Sequence, residues 1–243
     1  MRPILVLLAL VLAPPPVVAL TQEPAPAPRR TQLTLDLGFV DASGNSNVTS
    51  FNLGEKLTWQ LERLTLGQTA KALYGEAEGK PTAEAYDAGL RADYALGKTI
   101  SVFALGTFQR NPFAGIAERW GGGPGLAVGL VRSARDTLSV EGALTAQRER
   151  STANVRQSFA ATRTAASFKH LFATATAFTQ TLEWLANLDT MDDQRVTSET
   201  ALTAPLSKQI ALRVSYLIRF DNLPEPGFVK TDRLLTTGAQ ISF

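Results

Sequence analysis

The chain ends on an alternating segment, residues 238–243, whose last residue is the aromatic Phe243. In a β-strand, Ala239, Ile241 and Phe243 share one face. That apolar face needs a cover, and in a bacterial outer-membrane barrel lipid provides it. We therefore interpret Gly238, Ile241 and Phe243 as a barrel-assembly signal, and we expect the last strand to close the barrel against the first.

The beginning of the chain has the features of a signal peptide, assigned to residues 1–19. Arg2 supplies a positive charge, an apolar run follows, and Ala19 ends a small-residue cleavage site. Residues 20–30 are rich in proline and are predicted to form a periplasmic linker. The remaining residues, 31–243, fit one domain. These features predict export by a Sec-type signal to the bacterial outer membrane.

Twelve segments of the chain alternate between apolar and polar side chains with a period of two. In the clearest one, Ile210, Leu212 and Val214 alternate with Ala211 and Arg213. Each segment is long enough to cross a bilayer when tilted. The predicted strands are residues 32–40, 49–60, 64–74, 86–96, 99–109, 119–131, 137–148, 158–169, 172–185, 195–204, 209–221 and 231–243.

The connections between these segments are alternately long and short. Residues 75–85 form a predicted long loop, for example, and residues 170–171 a predicted short turn. Bacterial barrels have long outer loops, short periplasmic turns and an even number of strands. The chain is therefore predicted to be all-β: a transmembrane antiparallel up-and-down β-barrel of about 12 strands. This pattern favours it over a periplasmic sandwich or a lipocalin-like cup.

Charged side chains collect on the face opposite the apolar one, and their signs balance. We therefore expect them to pair across a narrow, partly occluded lumen. Glu55 is an exception, because it falls on the apolar face, where a bulge or an interfacial position would explain it. The predicted lumen charges are Asp87, Arg91, Asp93, Glu141, Arg163, Glu183, Glu199, Arg213 and Arg219.

Motifs for catalysis, metals or cofactors are not evident in the sequence. Cysteine is absent, and the single histidine, His170, lies on a predicted periplasmic turn with no serine or acid at a recognisable spacing. The glycine-rich residues 121–125 lead into no predicted helix, so they are expected to bend a strand or to allow close packing. No clustered basic face indicates a nucleic-acid partner. We predict no cofactor and no enzymatic activity.

Two short segments resemble a known family. They are Gly-Asn-Ser-Asn at residues 44–47 and the loop with Arg110, Asn111, Pro112, Phe113 and Gly115. The chain is similar to the domain of unknown function 481 family, some of whose members are called salt-stress-induced outer-membrane proteins. The resemblance covers nearly all of residues 31–243. It implies an outer-membrane barrel and carries no established catalytic residues.

This chain departs from the family pattern at one place. Family members often have Tyr-Glu-Arg-Asp where this chain has Phe-Gln-Arg-Asn at residues 108–111, so two acidic side chains are missing. The resemblance implies a salt-related role only in general terms, and these acids are not available to support it here.

We therefore predict a monomeric barrel that acts in envelope integrity or in salt and osmotic stress adaptation. A narrow channel for small solutes or ions is the alternative, and an outer-membrane lipid-modifying enzyme is a second alternative. The expected partners are outer-membrane lipids, the barrel-assembly machinery and periplasmic chaperones.

Overall fold

The computed structural model describes residues 31–43, 48–77, 80–173 and 175–243. The predicted signal peptide, the predicted linker and the family-like residues 44–47 lie outside the described residues. Within the described ranges, no helix is long and apolar enough to cross a membrane.

Twelve antiparallel strands form a closed barrel in the described part of the chain. Each strand pairs with the next one in sequence, and the last pairs with the first, which confirms the predicted up-and-down barrel. A turn of 3-10 helix, Pro112–Ala114, connects β5 to β6. The strands are β1 (Thr31–Ser43), β2 (Val48–Leu61), β3 (Leu64–Ala77), β4 (Lys80–Ala95), β5 (Ile100–Asn111), β6 (Ile116–Arg132), β7 (Asp136–Ser151), β8 (Arg156–Leu171), β9 (Ala177–Asn187), β10 (Gln194–Pro205), β11 (Ile210–Asp221) and β12 (Thr231–Ser242).

The two ends of the chain close the barrel, as the alternating carboxyl terminus predicts. Ile241 lies opposite Leu35 in the β1–β12 register. Beyond the last strand residue, the Phe243 N–H donates a hydrogen bond to the Leu33 carbonyl oxygen over 2.9 Å. The closing strand thus extends to the final residue. The role of Gly238, Ile241 and Phe243 in assembly stays a prediction.

Large apolar side chains cover the outside of the barrel. Leu90, on β4, is 64% exposed, and many others on neighbouring strands are also exposed. Exposed apolar area of this extent is unfavourable in water and is typical of a surface that lipid covers. Buried apolar side chains, among them Phe103, Phe159 and Ala161, lie on the inner face. The exposed set includes Leu53, Leu126, Leu130, Leu144, Leu182, Leu202, Leu212 and Tyr216.

Several predicted long loops are in fact continuations of strands. β3 reaches Ala77 and β4 starts at Lys80, so the predicted loop 75–85 is mostly an extended hairpin. Conversely, the predicted two-residue turn 170–171 lies at the end of β8, and the connection follows it. Beyond the apolar band of β4, Ala83 and Ala85 on the inner face are buried, while the outer face carries Thr82 and Glu84. The apolar-out, polar-in pattern of the lipid-covered band therefore reverses here while backbone pairing continues. Loop lengths therefore differ less between the two ends than the sequence indicates.

Glu55 lies on the apolar outer face without a β-bulge. It is in regular register with Leu35 on one side and Ala70 on the other. Its Oε2 accepts a hydrogen bond from Gln68 Nε2 over 3.4 Å. The suggested bulge is wrong, and a polar neighbour on the next strand accommodates the carboxylate instead.

Candidate functional site

The interior of the barrel is crossed by ion pairs between strands that are not neighbours. Lys71 Nζ on β3 lies 3.3 Å from Glu199 Oε2 on β10. Arg219 Nη2 on β11 lies 2.9 Å from Asp87 Oδ2 on β4. Because β3 and β10, like β4 and β11, are separated by other strands, these side chains can meet only inside the barrel. We call these two pairs the cross-lumen pairs.

Glu199 has two cationic partners. Besides Lys71, it accepts a hydrogen bond from Arg213 Nη2 over 2.8 Å. Arg213 lies on the adjacent strand β11 and also contacts the Thr203 hydroxyl over 3.4 Å. The carboxylate of Glu199 therefore keeps one cation when the other is removed.

A second group of predicted charges forms a chain along the wall from β4 to β9. Arg91 makes two hydrogen bonds of 2.8 Å to Asp93, and its Nη1 lies 2.9 Å from Glu141 Oε2. Glu141 also accepts a hydrogen bond from Arg163, whose Nη2 lies 2.6 Å from Glu183 Oε2. The charges alternate in sign along this chain, so each guanidinium group has a carboxylate on two sides.

Glycine residues of β6 allow this series of ion pairs to cross β5 and β6, from Arg91 on β4 to Glu141 on β7. The guanidinium carbon of Arg91 lies 3.8 Å from the centre of the Phe103 ring, a cation–π contact. Phe103 packs over Gly125, where an added Cβ would lie 2.3 Å from the ring. At Gly121, an added Cβ would lie 2.6 Å from Gln147 Oε1. Of the two explanations for the glycine run, the structure favours close packing.

A third cluster lies nearer the end that carries the connections predicted to be long, the loop-bearing end. The sequence places Arg195 on the lumen face but does not indicate the other members, Glu149, Arg119 and Asp221. Arg195 donates hydrogen bonds to Glu149 and, over 3.2 Å, to Asp221. Arg119 Nε lies 2.9 Å from Glu149 Oε1, but without hydrogen-bond alignment, so this contact is an ion pair. Arg119 donates its hydrogen bonds through the other two nitrogens, from Nη2 to Glu149 Oε2 over 3.4 Å and from Nη1 to Gln109 Oε1 over 2.9 Å.

Glu149, the centre of the third cluster, was missed because the end of its strand was placed too early. Glu149 falls in a predicted loop, although it continues the odd-numbered inner face of β7 with Glu141, Thr145 and Gln147. Following the period of two past residue 148 would have placed it in the lumen.

Two adjoining cavities lie inside the barrel, and both are lined by members of the cross-lumen pairs. The larger one, about 800 Å³, extends along β1, β2 and β12 and reaches Lys169 and Thr179 near the short-turn end. The smaller one, about 460 Å³, reaches Val229 and other loop residues at the opposite end. Lys71 and Asp87 line both cavities. The cross-lumen pairs therefore lie where the two spaces meet.

The family-like loop packs at the loop-bearing mouth. Phe113 lines the larger cavity together with Ala83 and Ala85. Gly115 has a φ of 79°, and its carbonyl oxygen accepts a hydrogen bond from the Thr152 N–H over 2.9 Å. An added Cβ at Gly115 would lie 3.0 Å from the Phe228 ring. The β5–β6 connection thus contacts both the β7–β8 and the β11–β12 connections at this end of the barrel.

The other family-like residues lie beside this mouth. Arg110 Nε donates to Glu84 Oε1 over 3.1 Å, and its Nη1 donates to the Ala117 carbonyl oxygen over 3.2 Å. Asn111 ends β5, and Pro112 begins the 3-10 turn. Arg110 therefore connects the end of β5 to the first residues of β4, through Glu84, and to the start of β6, through Ala117.

His170 has an acidic partner that its sequence spacing does not indicate. Its Nδ1 lies 2.7 Å from Asp136 Oδ1, because the two residues are opposite each other in the β7–β8 register. In the described ranges, no group of three or more histidine, aspartate or glutamate side chains is placed to hold a metal ion. The prediction that the chain is not an enzyme stays a prediction.

The sequence matches the family model described as "Protein of unknown function, DUF481" over residues 35–243. The chain belongs to this family. The resemblance drawn from its loop motif is therefore confirmed. No curated protein matches the sequence significantly.

Solved porin structures share the fold of this DUF481 protein. The NanC porin superimposes with a TM-score of 0.60 at 9% identity, covering 85% of this chain and 98% of that one. The KdgM porin in complex with disordered oligogalacturonate superimposes with a TM-score of 0.51 at 10% identity, covering 86% and 99%. At such low identity these matches establish a common barrel architecture and nothing about the solute.

Proposed function

We propose that this DUF481 protein is a narrow channel for small polar solutes in the bacterial outer membrane. The observation that carries the proposal is a closed barrel whose interior holds two adjoining cavities lined by polar and charged side chains. The apolar exterior and the porin-like fold support the outer-membrane location. The Sec-type signal peptide remains part of this proposal.

The cavities favour the channel over a purely structural role in envelope integrity or salt stress. A barrel that served only as a scaffold could fill its interior with side chains, as small eight-stranded barrels do. Here the larger cavity alone is about 800 Å³, and hydroxyl groups such as those of Thr179, Thr181 and Ser215 line it. A polar space of this size can accommodate a small solute.

The lumen charges suit small neutral or zwitterionic solutes better than polyanions. The KdgM porin, which shares the fold, has been solved with oligogalacturonate. In this chain the guanidinium groups of Arg91, Arg163 and Arg195 already contact carboxylates. A polyanion would have to compete with those carboxylates, whereas a small dipolar solute could accept and donate hydrogen bonds without separating the pairs.

Single-channel recording on refolded protein in planar bilayers tests the proposal. We expect small, stable current steps in KCl, and larger steps in the double variant Asp87→Ala/Arg219→Ala, which removes a cross-lumen pair together. The matched control is His170→Ala/Asp136→Ala, which removes a contact between two polar side chains on the even-numbered outer face of β7 and β8 and should leave the steps unchanged.

Folding is checked separately by the heat-dependent shift in gel mobility that barrels show. Absence of steps from folded protein, in the parent chain and in Asp87→Ala/Arg219→Ala, would contradict the channel and favour the scaffold role. Enlarged steps in the control would show that the effect does not depend on the lumen.

A further inference from the structure

Three arginine side chains cluster on the outer face at the loop-bearing end of β7 and β8. Arg148 and Arg150 lie on β7, and Arg156 begins β8. Arg150 is directly opposite Arg156 in the register, and Arg148 is opposite Trp120 of β6. All three residues share the even-numbered outer face of these strands. We call Arg148, Arg150 and Arg156 the rim cluster.

The rim cluster carries more positive charge than its surroundings neutralise. Arg150 Nε lies 3.0 Å from Glu118 Oε1, and this carboxylate is within electrostatic range of the other two arginines. Among the described residues, neither Arg148 nor Arg156 has a carboxylate of its own within 4 Å. Like charges directly opposite each other destabilise a strand pair. One carboxylate shared by three guanidinium groups leaves a net positive charge that an external anion can neutralise.

The rim cluster lies just above the band that lipid would cover. Trp120 is 54% exposed, and its ring centre lies 4.5 Å from that of Phe108. Further along the same face towards the short-turn end, Leu126 and Leu144 are exposed. Aromatic side chains mark the headgroup level of a membrane barrel. Arg148 is level with this aromatic pair in the register, and Arg150 and Arg156 lie one step beyond it. The guanidinium groups are therefore at the height of lipid phosphates.

We infer that the rim cluster binds the phosphate group of a phosphorylated glycolipid in the outer leaflet. A guanidinium group matches phosphate with two parallel N–H donors, and two such groups with no carboxylate within 4 Å among the described residues can bind one phosphate together. The acyl chains of the same lipid would lie along the exposed leucines below. This inference rests on the proposed outer-membrane location, but it does not require that the lumen conducts.

Binding of lipid A to the full mature barrel in detergent tests the inference, with native mass spectrometry as the readout. The variant is Arg148→Gln/Arg156→Gln, which keeps the Arg150–Glu118 ion pair intact. We expect its lipid A binding to be at least about tenfold weaker, because charge-assisted hydrogen bonds are lost. The matched control is Arg63→Gln/Arg135→Gln, which removes the same charge from exposed turns at the opposite end and should bind like the parent.

Two further probes identify the ligand. Dephosphorylated lipid A should bind the parent weakly, and inorganic phosphate should not displace the intact lipid. Equal binding of the dephosphorylated lipid, displacement by inorganic phosphate, or an equal loss in both double variants would each overturn the inference. A conducting barrel with unchanged lipid binding in Arg148→Gln/Arg156→Gln would overturn the lipid site and leave the channel standing. A barrel that binds lipid A through the rim cluster but conducts no ions would overturn the channel and leave the lipid site standing.

Discussion

Lys71→Gln removes one charge from a cross-lumen pair without leaving the opposite charge unpaired. Glu199 keeps its 2.8 Å hydrogen bond to Arg213 in this variant. The Lys71 side chain is 54% exposed, against 21% for Glu199, so it faces the water of the lumen. Because Lys71 lines both cavities, an ion that crosses the lumen through either one passes close to its ammonium group.

The expected size of the effect comes from Coulomb's law. A unit charge about 4 Å from a passing ion contributes about 1 kcal/mol even at the dielectric constant of water. At 0.1 M salt, where the Debye length is about 10 Å, roughly two thirds of this remains. The interaction energies of cations and anions change in opposite directions, so the difference between them changes by about 1.4 kcal/mol. That is about tenfold in relative permeability.

The assay is the reversal potential across a planar bilayer with a tenfold KCl gradient. We expect Lys71→Gln to raise the ratio of potassium to chloride permeability about tenfold. Glu199→Gln should lower the same ratio by a similar factor, and Lys71→Arg should leave it unchanged. If Lys71→Gln and Glu199→Gln shift the reversal potential in the same direction, or if neither shifts it, the ion path does not pass the cross-lumen pairs.

Other predictions concern assembly and stability. Phe243→Ala should reduce the amount of barrel inserted in outer membranes, whereas Phe243→Tyr should not; normal levels of the alanine variant, measured by immunoblot of membrane fractions, would contradict an assembly role. Gly125→Ala should lower the free energy of unfolding by roughly 1–3 kcal/mol in urea titrations, because the new methyl group overlaps both the Phe103 ring and the Gly142 carbonyl oxygen; unchanged stability would mean that the ring and the β7 backbone both shift at little cost. Glu55→Leu should raise the free energy of unfolding by about 1 kcal/mol or more in lipid vesicles, because it removes a carboxylate from the apolar face. A loss of stability there would indicate that the hydrogen bond from Gln68 outweighs the cost of the charge.

The amino-acid sequence determined the strand count, the up-and-down order and the inner and outer faces. Each of these depends on alternation within one segment, and lipid on one side and water on the other make that alternation strong. Beyond the lipid-covered band, as at Ala83 and Glu84, the apolar-out, polar-in pattern reverses and the predicted strand ends are wrong. The same error hid Glu149 and its contacts with Arg119 and Arg195.

Only the tertiary structure decided which charges meet. Lys71 and Glu199 are 128 residues apart, and Asp87 and Arg219 are 132 apart. Their contacts depend on the stagger of twelve strands around a closed cylinder, a quantity to which every hairpin contributes and which no single segment contains. The rim cluster has a more local origin, because the register of the single β7–β8 hairpin brings Arg150 opposite Arg156. Alternation is local and can be found in one strand, whereas the charge pairing in the lumen is a property of the whole barrel.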